Sequence, residues 1–162
     1  MPSDASTHLE PDVSARGQPA FLVTIDTEGD NLWSKPRDIT VRNAEALPRF
    51  QDLCEKYGLR PTYLVNWEMA NSSSFVEFGK AVLAKNAAEI GMHLHAWNSP
   101  PLTPLTDDDF RYQPYLTEYP VEQMREKVKV MTDTLESIFG VRILSHRAGR
   151  WGLNETYAWA WR

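Results

Sequence analysis

The chain is poor in the residues that build covalent frameworks and membrane anchors. It has one cysteine, Cys54, in 162 residues, so no internal disulfide framework can form. Cys54 falls on the apolar face of an expected helix, where a thiol packs as a small hydrophobe and is not placed to act as a nucleophile. No stretch of roughly 18 consecutive apolar residues occurs, so a membrane-spanning helix is not expected. Positive charge is also short. The 17 Lys and Arg stand against 22 Asp and Glu, a net charge of −5, whereas a phosphate backbone calls for a basic patch. Neither nucleic acid nor a membrane is an expected partner. Residues 1–19 are polar and lack the apolar core of a secretion signal. They read as a disordered tail, and a cytoplasmic location is the default expectation.

Histidine is scarce too, with four in the chain, yet two of them share one short motif. Glu89-Ile90-Gly91-Met92-His93-Leu94-His95 reads as a strand whose end carries His93 and His95. Side chains at i and i+2 of a strand lie on one face, roughly 7 Å apart at their bases. That spacing lets both imidazoles reach one ion at about 2.0–2.1 Å each. A second segment, Phe21-Leu22-Val23-Thr24-Ile25-Asp26-Thr27-Glu28, begins as an apolar run of the kind found in strands buried on both faces. It ends in carboxylates at Asp26 and Glu28, again on one face. Two carboxylates and two imidazoles make a donor set suited to zinc or another divalent cation. Which of Asp26 and Glu28 faces the ion, or whether both do, is left open by spacing.

A third segment has the same form. Residues 141–152 run from a strand through Ser145-His146-Arg147-Ala148-Gly149-Arg150-Trp151 into a glycine-punctuated loop. Three strands thus end in reactive side chains, and parallel α/β folds collect catalytic groups at the carboxyl ends of their strands.

These segments, in this order, resemble the first three motifs of the polysaccharide deacetylase (NodB-homology) family, metal-dependent enzymes that remove acetyl groups from N-acetylated sugars. The resemblance spans residues 20–155. It implies that Asp26 is the catalytic base and Glu28 the acidic metal ligand, although the family's usual acids are adjacent aspartates. It implies that His93 is a ligand. The family's second histidine position holds Trp97 here, and His95 substitutes for it. Arg147 matches the arginine that braces the base, without the proline that usually follows. The chain thus looks like a divergent branch carrying His-x-His and Arg-Ala-Gly-Arg. The resemblance implies a divalent ion, zinc first among candidates, and an N-acetylated sugar or glycan as substrate. Trp97, Arg150 and Trp151 are the expected substrate contacts. His146 is a candidate further ligand or stand-in acid, since the group that protonates the leaving amine has no clear owner.

The rest of the pattern alternates strand and helix. Strands are expected over residues 20–26, 61–66, 89–95 and 142–146. A helix is expected within 43–57, with Leu47, Phe50, Leu53, Cys54 and Tyr57 on one face and Gly58 as its stop. Another starts at Ser74, with Glu77 three residues on as a capping box and Phe75, Phe78 and Val82 as its buried stripe. A long helix spans 120–139, with Met124, Val128, Met131 and Leu135 at core spacing. A short one follows Asn154. Residues 96–119 form a long rim loop whose aromatics either stack on sugar or cover the rim. Asp107-Asp108-Asp109 reads as a capped turn with solvated charges, since the glycine and distal glutamate of a calcium loop are missing. Trp33, Lys35, Trp67 and Glu68 fall near the same rim.

Four βα units make an α/β partial barrel, about half of a distorted seven- or eight-stranded one. The apolar end with Trp159 and Trp161 suggests the N-terminal part of a longer enzyme, or a truncated product. Self-association or a partner chain is then expected to complete the barrel. Beside the deacetylase reading stand a cyclic amidase or other carbon–nitrogen hydrolase on the same scaffold, a non-catalytic sugar-binding or assembly subunit, and an inactive remnant.

Overall fold

The computed structural model describes residues 20–161; the expected N-terminal tail lies outside the described residues. Four parallel strands form one sheet in sequence order, β1 (Thr24–Thr27), β2 (Thr62–Val65), β3 (Glu89–Leu94) and β4 (His146–Ala148). Between and after them run α1 (Leu47–Lys56), α2 (Trp67–Ala70), α3 (Ser73–Ala84), α4 (Asp109–Tyr112), α5 (Val121–Phe139) and α6 (Glu155–Ala160). Each strand adds on the same side of the one before, so the sheet curls into a half-barrel with helices outside.

The register explains which residues share the inner face. Asp26 pairs with Leu64, Leu64 with Gly91, and His93 with Arg147. Side chains alternate, so Asp26, His93 and Arg147 line the inner face while Ile25, Tyr63, Ile90, Met92 and Ala148 turn toward the helices. The core lies on that helix side, where Tyr63, Val65, Ile90, Met92 and Leu94 pack with Phe75, Val82, Met124, Val128, Met131 and Leu135.

Helix α5 follows its expected range closely. Met124, Val128, Met131, Leu135 and Phe139 are buried at three- and four-residue spacing, each worth about 1.5–3 kcal/mol of apolar burial. Gly140 ends it in a left-handed conformation at φ 67°, and its N–H donates to the Glu136 carbonyl. That geometry favours a residue without Cβ.

Several expectations need correction. Strand β1 is shorter than 20–26, and Phe21 and Leu22 are 77% and 81% exposed. Among the described residues no strand pairs on the outer side of β1, and Phe21 and Leu22 are uncovered there. Strand β4 begins only at His146, because the ladder forms where Met92–Leu94 offer it partners; Leu144 is left exposed. Helix α3 is capped by Ser72, whose hydroxyl accepts from the Phe75 N–H. The Ser74 hydroxyl instead meets that of Ser72, so the expected Ser74–Glu77 box does not start the helix. On α1, Cys54 is buried as expected, but Leu53 and Tyr57 are exposed. Pro48 sits in its first turn, after a 3-10 turn over Arg42–Ala46.

The rim loop is more ordered than its composition suggests. Asp108 caps α4, yet Asp109 is not solvated. Its carboxylate accepts from the Leu105 and Thr106 amides and the Thr106 and Tyr119 hydroxyls. The buried Lys127 ammonium of α5 donates to the carbonyls of Ser99 and Pro101, at 2.8 and 2.6 Å, and so ties the loop to the helix layer. No helix among the described residues is long and apolar enough to cross a membrane.

Candidate metal centre

Two strand ends, those of β1 and β3, converge on the inner face. Glu28 follows β1, His93 lies near the end of β3, and His95 is just beyond it. One oxygen of Glu28, Oε2, stands 2.9 Å from His95 Nε2 and 3.2 Å from His93 Nε2. The two imidazole rings lie nearly perpendicular, with centroids 4.7 Å apart. Both histidines are buried. The other Glu28 oxygen, Oε1, accepts from the Trp33 indole N–H at 3.0 Å, and Trp33 sets its edge against His95 with centroids 5.5 Å apart.

The hydrogen bonds around His93 settle its ring orientation. Its Nδ1 is 2.9 Å from the Arg147 carbonyl oxygen. A carbonyl only accepts, so Nδ1 carries the hydrogen, and in the neutral ring Nε2 presents a lone pair. That lone pair points at a carboxylate oxygen. A proton on His95 Nε2 satisfies one of the two contacts at Oε2, but the contact from His93 then sets acceptor against acceptor. A cation between them removes the conflict. The separations suit it, since ligand atoms about 2.0–2.1 Å from a tetrahedral zinc stand about 3.3 Å apart. A backbone carbonyl fixing the far nitrogen of a ligand histidine is the usual support for such a site. Glu28, His93 and His95 therefore fit a divalent ion, and their ligand atoms all lie within 4.8 Å of one another.

The electrostatics agree with anionic Glu28. Burial alone would raise its carboxyl, but the two histidines facing Oε2 outweigh that and lower it to about 2. Burial lowers His95, against the pull of Glu28, which favours its neutral form. Space for His95 depends on Gly149. A Cβ there would lie 2.6 Å from His95 Nδ1 and 2.6 Å from the Leu94 carbonyl oxygen.

Asp26 lies one strand step before Glu28, its side chain partly open to solvent. The Arg147 guanidinium donates to Asp26 and to the Thr24 hydroxyl, which orients the carboxylate, and it rests over the Trp151 ring at 4.7 Å. Trp151 is itself 76% exposed. Arg150 lies over the Tyr115 ring at 3.8 Å and donates to the Gln113 carbonyl. Trp97 is buried beside His95 and has no exposed face to offer a sugar.

His146 does not join the cluster. It alternates with Arg147 and so faces the helices, where its ring stacks on Trp161 at 4.9 Å and its Nδ1 meets the Met92 carbonyl at 3.0 Å. Burial holds it down to about 4.

Glu68 is more engaged than its place in the sequence reveals. It sits in the first turn of α2, and its Oε2 accepts from Asn66 Nδ2 at 2.8 Å. Asn98 Nδ2 donates to both its oxygens at 3.0 Å. Burial, aided by the charge of Glu28 and opposed by the hydrogen bonds, raises its carboxyl to about 7. Asn66 and Asn98 carried no motif, and only their positions just past β2 and β3 hint at this cluster.

The fold and site together define an α/β half-barrel with a buried Glu-His-His cluster at the carboxyl ends of its strands. No protein-family model and no curated protein matches the chain. Among solved structures it is similar to the Xyl-CE4 domain of a multidomain xylanase from the hindgut metagenome of Trinervitermes trinervoides, with TM-score 0.54 and 14% identity over 86% of this chain and 52% of that one. It is also similar to a "putative polysaccharide deacetylase" from Mycobacterium smegmatis, with TM-score 0.57 and 16% identity over 86% of this chain and 46% of that one. The chain shares the fold of such domains and spans about half the length of these two.

Proposed function

We propose that this chain carries the metal centre of a deacetylase that hydrolyses the acetamide of an N-acetylated sugar or glycan. The observation that carries this reading is the single oxygen of Glu28 set between the Nε2 atoms of two buried histidines, with His93 oriented by a backbone carbonyl. Likeness in fold to the "putative polysaccharide deacetylase" from Mycobacterium smegmatis supports the substrate class.

In this reading Glu28, His93 and His95 hold a divalent ion, zinc by its preference for imidazole and carboxylate ligands. Such an ion supplies Lewis acidity that activates water and polarises a carbonyl. Asp26 takes the proton of the attacking water. Arg147 holds Asp26 in place through its charge-assisted hydrogen bond. The exposed rings of Trp33, Trp151 and Tyr115 offer flat faces at the rim on which sugar rings can stack. Phe21, Leu22 and Leu144 are exposed beside the edges of β1 and β4, which no strand pairs among the described residues. Exposed apolar edges of this kind favour a covering chain, either further polypeptide or a second copy.

Acetate release from N-acetylated sugar oligomers tests the reading. Release that stops on chelation and returns with zinc supports it. A metal-loaded chain that leaves those oligomers intact while cleaving a small cyclic amide would move the assignment to another carbon–nitrogen hydrolase.

A further inference from the structure

The chain is acidic overall, yet one arc of its rim is basic. Lys35, Arg111 and Arg150 meet there. Lys35 Nζ donates to the Arg111 carbonyl at 3.1 Å. Arg150 donates to the carbonyl of Gln113, two residues on, and its guanidinium lies over the Tyr115 ring at 3.8 Å. The Arg111 guanidinium lies over the Tyr112 ring at 5.4 Å. Among the described residues none of these three cations has a carboxylate partner. The neighbouring Arg37 and Arg147 are paired, with Asp108 and Asp26. Nearby carboxylates are engaged too. Glu118 accepts from the Tyr115 amide, and Asp109 is buried among its donors. Asp107 and Asp108 precede α4, at its opposite end.

Direct contacts join this patch to the metal centre. Lys35 closes the 3-10 turn over Leu32–Ser34, whose Trp33 donates to Glu28 and sets its edge against His95. Arg150 follows Gly149, where a Cβ would lie 2.6 Å from His95 Nδ1. The backbone is bent to hold the patch. Of five non-glycine residues with positive φ among those described, four stand here: Lys35, Gln113, Arg150 and Trp151, at φ 51–59°. L side chains rarely adopt that conformation, and such positions collect at functional sites. Capping the end of α4 explains only part of the arrangement. An ammonium has three donors and a guanidinium five, so Lys35 and Arg150 keep donors to spare. The Arg111 side chain donates to no group among the described residues, and both it and Lys35 are exposed.

We infer that Lys35, Arg111 and Arg150 form a subsite for an anionic substituent of the glycan, a carboxylate or a sulfate ester. That substituent sits on a sugar unit next to the one whose acetamide meets the metal. This rests on the deacetylase reading above. Guanidinium groups bind either oxyanion through paired N–H donors, and Lys35 adds a point charge. Tyr115 and Trp151 beside them supply faces for the ring that carries the anion. The substrate class narrows to acidic N-acetylated glycans, which a rim of unpaired cations favours over neutral ones.

Calorimetric titration of the zinc-loaded chain with three tetrasaccharides tests the subsite. One is a neutral N-acetylglucosamine oligomer, one alternates N-acetylglucosamine with glucuronate, and one is an N-acetylglucosamine oligomer carrying sulfate esters. An acidic oligomer is expected to bind about tenfold more tightly than the neutral one at low salt, as two or three exposed ion pairs would give. That advantage shrinks as salt screens the rim. The tighter of the two acidic oligomers identifies the source of the anion. Lys35→Gln/Arg111→Gln should reduce the ratio to about twofold or less. The charge-keeping pair Lys35→Arg/Arg111→Lys should retain it, which a merely structural role does not predict. Cooperative melts check that both pairs fold. Equal affinity for all three oligomers, or a ratio that salt and the charge-removing pair leave unchanged, overturns the anion subsite and leaves the deacetylase reading standing. A zinc-loaded chain that binds none of the three overturns the substrate class of that reading and this inference with it.

Discussion

Replacing Trp33 by phenylalanine isolates one hydrogen bond at the metal centre. Trp33 Nε1 donates to Glu28 Oε1 at 3.0 Å, which leaves Oε2 as the oxygen facing both histidines. A hydrogen bond to an ionised group contributes about 1.5–3 kcal/mol. Trp33 is 56% exposed, so water can replace part of the lost bond, and about 1–1.5 kcal/mol is the expected net loss. At about 1.4 kcal/mol per decade, that is roughly tenfold weaker metal binding. This falls at the low end of the 10- to 100-fold range usual for partners of metal ligands. The phenylalanine ring preserves the edge contact with His95, now 5.5 Å between centroids at 79°. Trp33→Ala removes that contact too and should weaken binding by a further few-fold, since such ring pairs contribute about 0.5–1.5 kcal/mol. Competition for zinc against a chromophoric chelator at fixed pH measures both. Wild-type affinity in Trp33→Phe, within about twofold, would refute the reasoning that Trp33 orients Glu28.

Other consequences follow from single contacts. Gly149→Ala places a methyl 2.6 Å from His95 Nδ1, so the variant should lose most of its metal while a circular dichroism melt stays cooperative. His146 is buried, and its pKa is lowered from 6.5 to about 4. The unfolded chain therefore binds a proton that the folded chain refuses between those values, and stability falls as pH drops through that window, by on the order of 3 kcal/mol in all. His146→Asn keeps a donor for the Met92 carbonyl and should flatten that acid limb in denaturant titrations. Met131→Ala empties a fully buried site on α5 and should cost about 2–5 kcal/mol in unfolding free energy, with metal content unaffected.

What the sequence revealed depended on period. His93 with His95, and Asp26 with Glu28, are i and i+2 pairs, so the strand pleat alone puts each pair on one face. The helical spacing of Met124, Val128, Met131 and Leu135 made α5 equally legible. The rest of the site depends on register and distant neighbours. The face taken by Arg147 rather than His146 is set by the pairing of His93 with Arg147, which local pattern does not encode. The grip on Glu68 joins Asn66 and Asn98, 32 positions apart on two strand ends, and neither residue is distinctive alone. Trp33 reaches Glu28 through a 3-10 turn over Leu32–Ser34, too short to show a period. Phe21 and Leu22 misled for the opposite reason. Their run has the composition of a central strand, but β1 lies at the sheet edge, where composition does not supply a neighbour.

Glu28, His93 and His95 acting as one metal site is the feature on which the proposed chemistry depends. Elemental analysis of the purified chain, alongside His93→Ala/His95→Ala, tests it most directly. About one divalent ion per wild-type chain is expected, and none retained by the double variant. A wild-type chain that holds no metal, even after dialysis against a moderate excess of zinc, would contradict it.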